Sequence, residues 1–354
     1  MHFSKNILFS ILSFLSLYQV WAQNDTPLNI IFLIGDGTGL PQISAGNYVN
    51  NNQTALEGFS YIGLSKTHSN DNLVTDSAAS ATAMACGEKT NNKVIGKDAQ
   101  NRPLKSVLEL CQEKGYKTAL LATSTIVHAT PASFYAKVDS RYQYEAIANQ
   151  LATSAVNYFI GGGQKFFVAR EDNRNLIEED STREYVNNLS EFEASEAAKI
   201  GFLTAYEDPI KKKENRKPEL PAMLAATLTK FEADQAPFFV MVEGSQIDWG
   251  GHDNDISVVL SEFKEFDQTV QTALNFAKKN KNTLVVVTGD HETGGLVITG
   301  GNVAKGRVKT SFSTPGHSGI MVPVFSYGPT AEQFNGIYEN TEIFHKMSAS
   351  LRLN

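Results

Sequence analysis

Cysteine is nearly absent from this chain. Cys86 and Cys111 are the only two in 354 residues, and no C-x-x-C spacing occurs, so a cysteine-held metal is not indicated. Whether the two pair or stay as buried thiols is open at the level of sequence. A basic excess is missing too. Lys and Arg total 31 against 38 Asp and Glu, a net charge of −7, which argues against a binder of nucleic acid or membrane surface. An anionic small substrate remains possible, because the charge at a site matters more than the sum. Long apolar runs are lacking, with one exception. Residues 7–18 are mostly apolar, follow Lys5 and precede Val20-Trp21-Ala22. That run is too short for a comfortable membrane span and has the layout of an export signal cut after Ala22. The expectation is an exported protein, periplasmic or secreted, with residues 23–354 forming a single domain. There is no internal repeat and no low-complexity linker.

Residues 29–34, Asn-Ile-Ile-Phe-Leu-Ile, read as a strand buried on both faces, which suits a parallel sheet. The run ends in Gly35-Asp36-Gly37, a tight turn that aims a carboxylate into a crevice. By itself Asp36 is equally a turn former, and these glycines do not make the G-x-G-x-x-G of a dinucleotide site. Asp76-Ser77 precedes a run of small residues up to Gly87 and reads as a capped helix start. Such a start presents unpaired N–H groups and attracts anions, although the pair alone is an ordinary cap. Further helices are expected at 104–114, 141–153, 221–233, 255–279 and about 338–351. Further strands are expected at 118–124, 158–160, 238–243, 283–289 and 322–327. The polar block 165–220 reads as a surface insertion, and 294–316 as a glycine-rich loop. Strands alternating with helices predict an α/β fold with a central, largely parallel β-sheet flanked by helices on both faces.

The polar residues gather at strand ends: Asp36, His128 with Thr130, Glu243 with Asp248 and His252, and Asp290 with His291. Open α/β sheets bind ligands outside the carboxyl ends of their strands, so residues far apart in sequence are expected to converge. Carboxylates with imidazoles suit zinc, and carboxylates with a hydroxyl suit magnesium. Asp248 and His252 are four apart and can share a helix face. His317 follows Pro315-Gly316. Each histidine alone is more often structural, yet four of the seven fall in this glycine-flanked set. A metal pair would activate the Ser77 hydroxyl and clamp an in-line displacement at phosphorus. Arg141 offers a fork for two phosphate oxygens, or is a plain surface charge.

Gly35-Asp36-Gly37, the block from Thr75 to Ala83, His128-Ala129-Thr130-Pro131, the block from Glu243 to His252, Asp290-His291-Glu292-Thr293-Gly294 and Gly316-His317 together resemble the alkaline phosphatases, over about residues 29–329. The resemblance is to compact bacterial members. It implies Ser77 as nucleophile through a phosphoseryl intermediate, with Arg141 holding the phosphoryl group. It implies two Zn2+, one on Asp36, Asp290 and His291 with Ser77, the other on Asp248, His252 and His317, the second holding the leaving oxygen and then supplying water. It implies one Mg2+ on Asp36, Thr130 and Glu243, and a homodimer acting on small phosphate monoesters. His128 and Trp249 stand where other members carry Asp and Lys, so they are expected to modify the third metal and the hold on phosphate.

Two other readings compete. A diesterase or sulfatase of the same superfamily would usually carry a threonine nucleophile or a C-x-P-x-R block, and Ser77 with Arg141 and Cys86-Gly87-Glu88 do not fit these. An exported phosphate- or metal-binding protein without turnover would have no use for an activated serine.

Overall fold

The computed structural model describes residues 28–353, so the expected export signal at 1–22 lies outside the described residues. Eight strands alternate with helices: β1 (Asn29–Gly35), β2 (Tyr61–Lys66), β3 (Lys117–Thr125), β4 (Tyr158–Gly162), β5 (Glu184–Val186), β6 (Ile200–Leu203), β7 (Phe238–Gly244) and β8 (Thr283–Gly289). Then come β9 (Glu292–Thr293), β10 (Leu296–Asn302), β11 (Arg307–Phe312) and β12 (His317–Ser318), and finally β13 (Val322–Tyr327) and β14 (Gly336–Glu339). Ten of them form one sheet in the order β14-β2-β13-β8-β1-β7-β3-β4-β6-β5. Every neighbouring pair is parallel except the two that β13 makes, with β8 and β2.

The sheet is buried on both faces, and its central strands β1, β7 and β8 are apolar through their middles, with polar residues only toward their ends. In β1, Ile30, Phe32 and Ile34 enter one core, and Ile31 and Leu33 enter the other, as the twofold alternation of a strand requires. The first core is closed by helices Ser77–Cys86, Val107–Glu113, Tyr144–Ala152 and Thr341–Leu351. The second is closed by Leu220–Asp234 and Ile256–Lys279. The latter helix is capped by Asp255, whose side chain accepts from Ser257 and Val258 N–H, and it ends in Lys278 and Lys279, where cations complement the helix dipole. Cys86 and Cys111 both lie in the first core as free, buried thiols. Among the described residues, no helix is long and apolar enough to cross a membrane.

β13 decides where the site can be. The chain leaves β8 at the carboxyl edge of the sheet and returns along β13 from that same edge. An antiparallel return needs no crossover to the far edge. The excursion 290–321 therefore leaves and rejoins the sheet at that edge, where Thr293 meets Gly37 and Asp248 and His317 meets His252.

Several sequence expectations shift. The helix expected from 141 starts at Tyr144, because Gln143 Oε1 accepts the N–H groups of Asp139 and Ser140 and folds the preceding residues into a turn. Arg141 thus lies in that turn, its own N–H donating to Lys93 O at 2.8 Å. The helix expected at 104 starts at Val107, where Ser106 and Glu109 form a reciprocal capping box. The glycine-rich loop is partly a hairpin, β10 with β11. Residues 336–339 form the edge strand β14 ahead of the last helix. Strand β2 and helix Leu40–Val49 have no strong periodic signal and escaped the sequence reading. Within the polar block 165–220, β6 and β5 extend the sheet at its edge.

Candidate active site

Four adjacent strands, β8-β1-β7-β3, deliver the polar groups. Asp36 follows β1 and is fully buried. Gly37 turns the chain away with φ +71, and a Cβ there would sit 2.7 Å from the Cα of Asp248. Only glycine lets the β1 turn lie this close to the helix Gln246–His252 that carries Asp248 and His252. Glu243 is the penultimate residue of β7, and Asp290 and His291 follow β8. Thr130 sits in the short helix Ala129–Ala132 after β3.

Ser77 opens the helix Ser77–Cys86, every residue of which is buried. Small side chains allow this, since alanine, serine and threonine can be surrounded on all sides without voids or clashes. Asp76 is the cap: its Oδ1 accepts from Ala79 N–H at 3.0 Å, an interaction worth about 1 kcal/mol. Gly87, with φ 77, ends the helix. The other Asp76 oxygen accepts from Lys93 N–H at 3.0 Å and from Arg141 Nη1 at 3.2 Å. Arg141 Nη2 is 3.4 Å from His128 Nε2. Sequence reasoning left the cap to either Asp76 or Ser77; the structure gives it to Asp76, whose hold on Arg141 was not read from sequence.

Three groups of potential metal ligands converge. Asp248, His252 and His317 form one, with ligand atoms within 4.8 Å of one another. His252 Nδ1 is 2.6 Å from Pro315 O, and His317 Nδ1 is 2.8 Å from Thr75 O. Carbonyls only accept, so both rings use Nδ1–H outward and turn Nε2 inward, 3.1 Å apart. This is the orienting pattern usual for metal-binding imidazoles. Asp36, Asp248 and His291 form the second group, and Asp290 Oδ2 is 3.2 Å from His291 Nε2. Ser77 Oγ is 3.3 Å from that same nitrogen. Asp36, His128 and Glu243 form the third. Trp249 stands edge-on to His128 at 6.3 Å.

The electrostatics of this cluster are unfavourable without cations. Both oxygens of Asp36, one each of Asp290 and Glu243, and the hydroxyl of Thr130 are buried and make no hydrogen bond. Burial, then the charges of Asp290, Asp248 and Glu243, holds the Asp36 carboxyl well above the usual range. Burial and the Asp248 charge push Asp290 up to about 6, and burial lifts Glu243 to about 7. For Asp248 burial acts upward too, but His252, His291 and His317 outweigh it and its pKa is depressed. His252 rises to about 9 through its hydrogen bond to Asp248. Burial, helped by His317, lowers His291 well below its ordinary value. Burial and the Arg141 charge bring His128 to about 3, so it is neutral. Buried, unpartnered carboxylate oxygens pointing at one another are costly unless a cation lies between them. The donor set of oxygens and imidazole nitrogens fits divalent zinc at the first two groups.

Two further side chains were not read from sequence. Thr293 joins Asp248 to His291, and Gln42 bonds Glu292 and the Thr293 carbonyl. Thr293 lay inside a recognised block without a role, and Gln42 carried no signal.

The model of one protein family, described as alkaline phosphatase, matches residues 28–311 and 301–353. "Alkaline phosphatase 3" of Bacillus subtilis (strain 168) is 34% identical, over 92% of this chain and 89% of the relative. The "Repressible alkaline phosphatase" of Saccharomyces cerevisiae is 36% identical over 81% of this chain and 59% of its own. Among solved structures, the alkaline phosphatase of the Antarctic bacterium TAB5 superposes with a TM-score of 0.88 at 42% identity, covering 93% of this chain and 99% of that one. A mutant of the TAB5 enzyme with Mg bound in its M3 site gives 0.87 at 40% identity, with the same coverage.

Proposed function

This chain belongs to the alkaline phosphatase family, and on that premise we propose that Ser77 is the nucleophile of its reaction, the hydrolysis of phosphate monoesters. The observation that carries the proposal is the position of Ser77 Oγ, 3.3 Å from His291 Nε2, at the edge of a pocket of unpartnered Asp36 and Asp290 oxygens. Asp36, Asp290 and His291 would hold one zinc beside Ser77. Asp248, His252 and His317 would hold the other. Asp36, Glu243 and Thr130 would hold magnesium, with His128 beside it. When bound, these cations lower the pKa of a coordinated hydroxyl and stabilise charge on the attacking and leaving oxygens.

The chain itself supplies aim and anchorage. The helix cap at Asp76 fixes Ser77 on the first turn, where backbone N–H groups and the helix dipole favour a phosphoryl anion. Arg141 is held by Asp76 before substrate arrives, so little rotamer freedom is lost when its remaining N–H groups take phosphoryl oxygens. A bond forms between Ser77 Oγ and phosphorus as the bond to the alcohol oxygen breaks. Water then attacks the same phosphorus, the serine oxygen leaves, and inorganic phosphate is released. The second half is favoured at the Asp248 end, because His252 is partly open to solvent.

The test is Ser77→Ala with full metal loading, followed by mass spectrometry of the wild type quenched during turnover. Loss of activity with phosphate trapped on Ser77 is expected. Equal activity in the variant would leave Ser77 no role beyond opening its helix, and faster hydrolysis of bis-p-nitrophenyl phosphate than of p-nitrophenyl phosphate would point to a diesterase. The remaining expectations enter on the same footing: export with cleavage after Ala22, one catalytic domain over 23–354 with its polar insertion near 165–220, and a homodimer. The mature N-terminus of the secreted protein and its mass in solution by light scattering test them.

A further inference from the structure

Thr293 lies in β9, two residues after His291, and is fully buried. Its hydroxyl is 2.5 Å from Asp248 Oδ1 and 3.2 Å from His291 Nδ1. One oxygen therefore touches a member of each candidate zinc group. Its backbone is held as firmly. The N–H donates to Gly37 O at 3.2 Å, the carbonyl accepts from Gln42 Nε2 at 2.8 Å, and the residue pairs with His317 across β9 and β12. The adjoining Glu292 carboxylate is buried and accepts from Gln42 Nε2, Gly295 N–H, Leu296 N–H and the Ser318 hydroxyl. That network ties the turn after β1, the end of β8 and the His317 strand together.

Counting hydrogens fixes the direction of each contact. A hydroxyl has one hydrogen. The Asp248 carboxylate can only accept, and 2.5 Å is the length of a charge-assisted bond, so the Thr293 hydrogen lies there. His291 Nδ1 must then be the donor in its contact with Thr293. A neutral imidazole with its hydrogen on Nδ1 carries a lone pair at Nε2. That nitrogen faces Asp36 Oδ1 at 3.4 Å, Asp290 Oδ2 at 3.2 Å and Ser77 Oγ at 3.3 Å. The two carboxylate oxygens have no hydrogen-bond partner.

We propose that Thr293 is a positioning residue that sets the tautomer of His291 and couples its zinc group to that of Asp248. One hydroxyl orients an acceptor of one group and a ring of the other, so the two sites are aligned before metal arrives. The proposal rests on the metal reading above.

Nitrogen-15 spectra of the histidines in chelator-treated protein provide the direct test, since they report tautomers without activity or metal. The wild type is expected to show His291 protonated at Nδ1, and an Nε2–H form there would overturn the proposal with no variant needed. Thr293→Val keeps shape and removes the hydroxyl. It is expected to mix the His291 tautomers and to weaken zinc at both groups by roughly 10- to 100-fold in competition with a chromophoric chelator. Thr293→Ser is expected to behave as the wild type. A valine variant with unchanged tautomer and affinities, or a serine variant as weak as the valine one, would sink the idea, the latter by assigning the effect to the methyl group. If the valine variant does not fold without metal, the serine variant and the wild-type spectrum still decide. A wild type that takes up no zinc would defeat the metal reading, while the tautomer would still answer this one.

Discussion

The two candidate zinc groups share a carboxylate-rich floor but differ in their access to water. Asp36, Asp290 and His291 have no exposed side-chain surface. In the other group the His252 side chain is 42% exposed, while Asp248 is nearly buried. The closed group adjoins Ser77, and the open one faces the solvent from which water must come and into which the alcohol must leave. A dry environment strengthens every charge interaction on the nucleophile, and an open one allows exchange of leaving group and water. One crevice thus offers two environments for the two halves of a displacement.

The comparison can be broken most severely at the closed group. Ser77→Ala should cost roughly 10³-fold or more in kcat, read with p-nitrophenyl phosphate at saturating metal. His291→Ala should remove the zinc beside Ser77 but leave the Asp248 group able to load, whereas His252→Ala should do the reverse. Metal content per chain by elemental analysis checks both, and loss of both ions in either variant would erase the distinction. Arg141→Ala should lower kcat/KM by about 10- to 150-fold, the equivalent of about 1.5–3 kcal/mol for a charge-assisted hydrogen bond, with zinc content unchanged.

The pH dependence should separate the groups more gently. A ligand must lose its proton to bind metal, so affinity rises with pH until that group is deprotonated. At the open group His252 titrates at about 9, so zinc affinity there should climb roughly tenfold per pH unit below that value. At the closed group the Asp290 component levels off above about 6, and Asp36, which burial holds well above the usual carboxylate range, continues the rise. Zinc competition titrations from pH 6 to 9 test this, and an open-group affinity that does not rise with pH would refute it. In metal-free protein both folded values lie above the unfolded ones, so the native state holds the extra proton. The linked stability should therefore fall as pH rises, from about 4 to 6 through Asp290 and from about 6.5 to 9 through His252. Thermal melts after chelation should show the decline, and saturating zinc should remove it. The smallest effect concerns neither group. A reductant should leave the melting temperature unchanged, since Cys86 and Cys111 are unpaired.

The strands of the closed group were readable because each is an unbroken apolar run stopped by a polar residue beside glycine. β1, β7 and β8 fall within a residue or so of the expected spans. Asp248 and His252 were readable as a pair because four residues make one helical turn. The rest was less accessible. Arg141 looked like the start of a helix, since a local sequence does not reveal that Gln143 will close a turn under it. The hairpin β10–β11 was hidden by its glycines, and β2 by its half-exposed pattern.

The sequence by itself determined the kind of fold and the kinds of ligand. Alternating apolar runs can only be buried as a sheet between helices, and carboxylates and imidazoles at strand ends suit few ions besides divalent metals. Tertiary structure alone decided which of them meet. His252 and His317 are 65 residues apart, and they converge because β13 returns from the same edge at which β8 ended. The direction of Arg141, the thiol state of the cysteines and the hydroxyl of Thr293 between the two groups were likewise decided there. Each depends on contacts between segments distant in the chain, and no local propensity encodes such contacts.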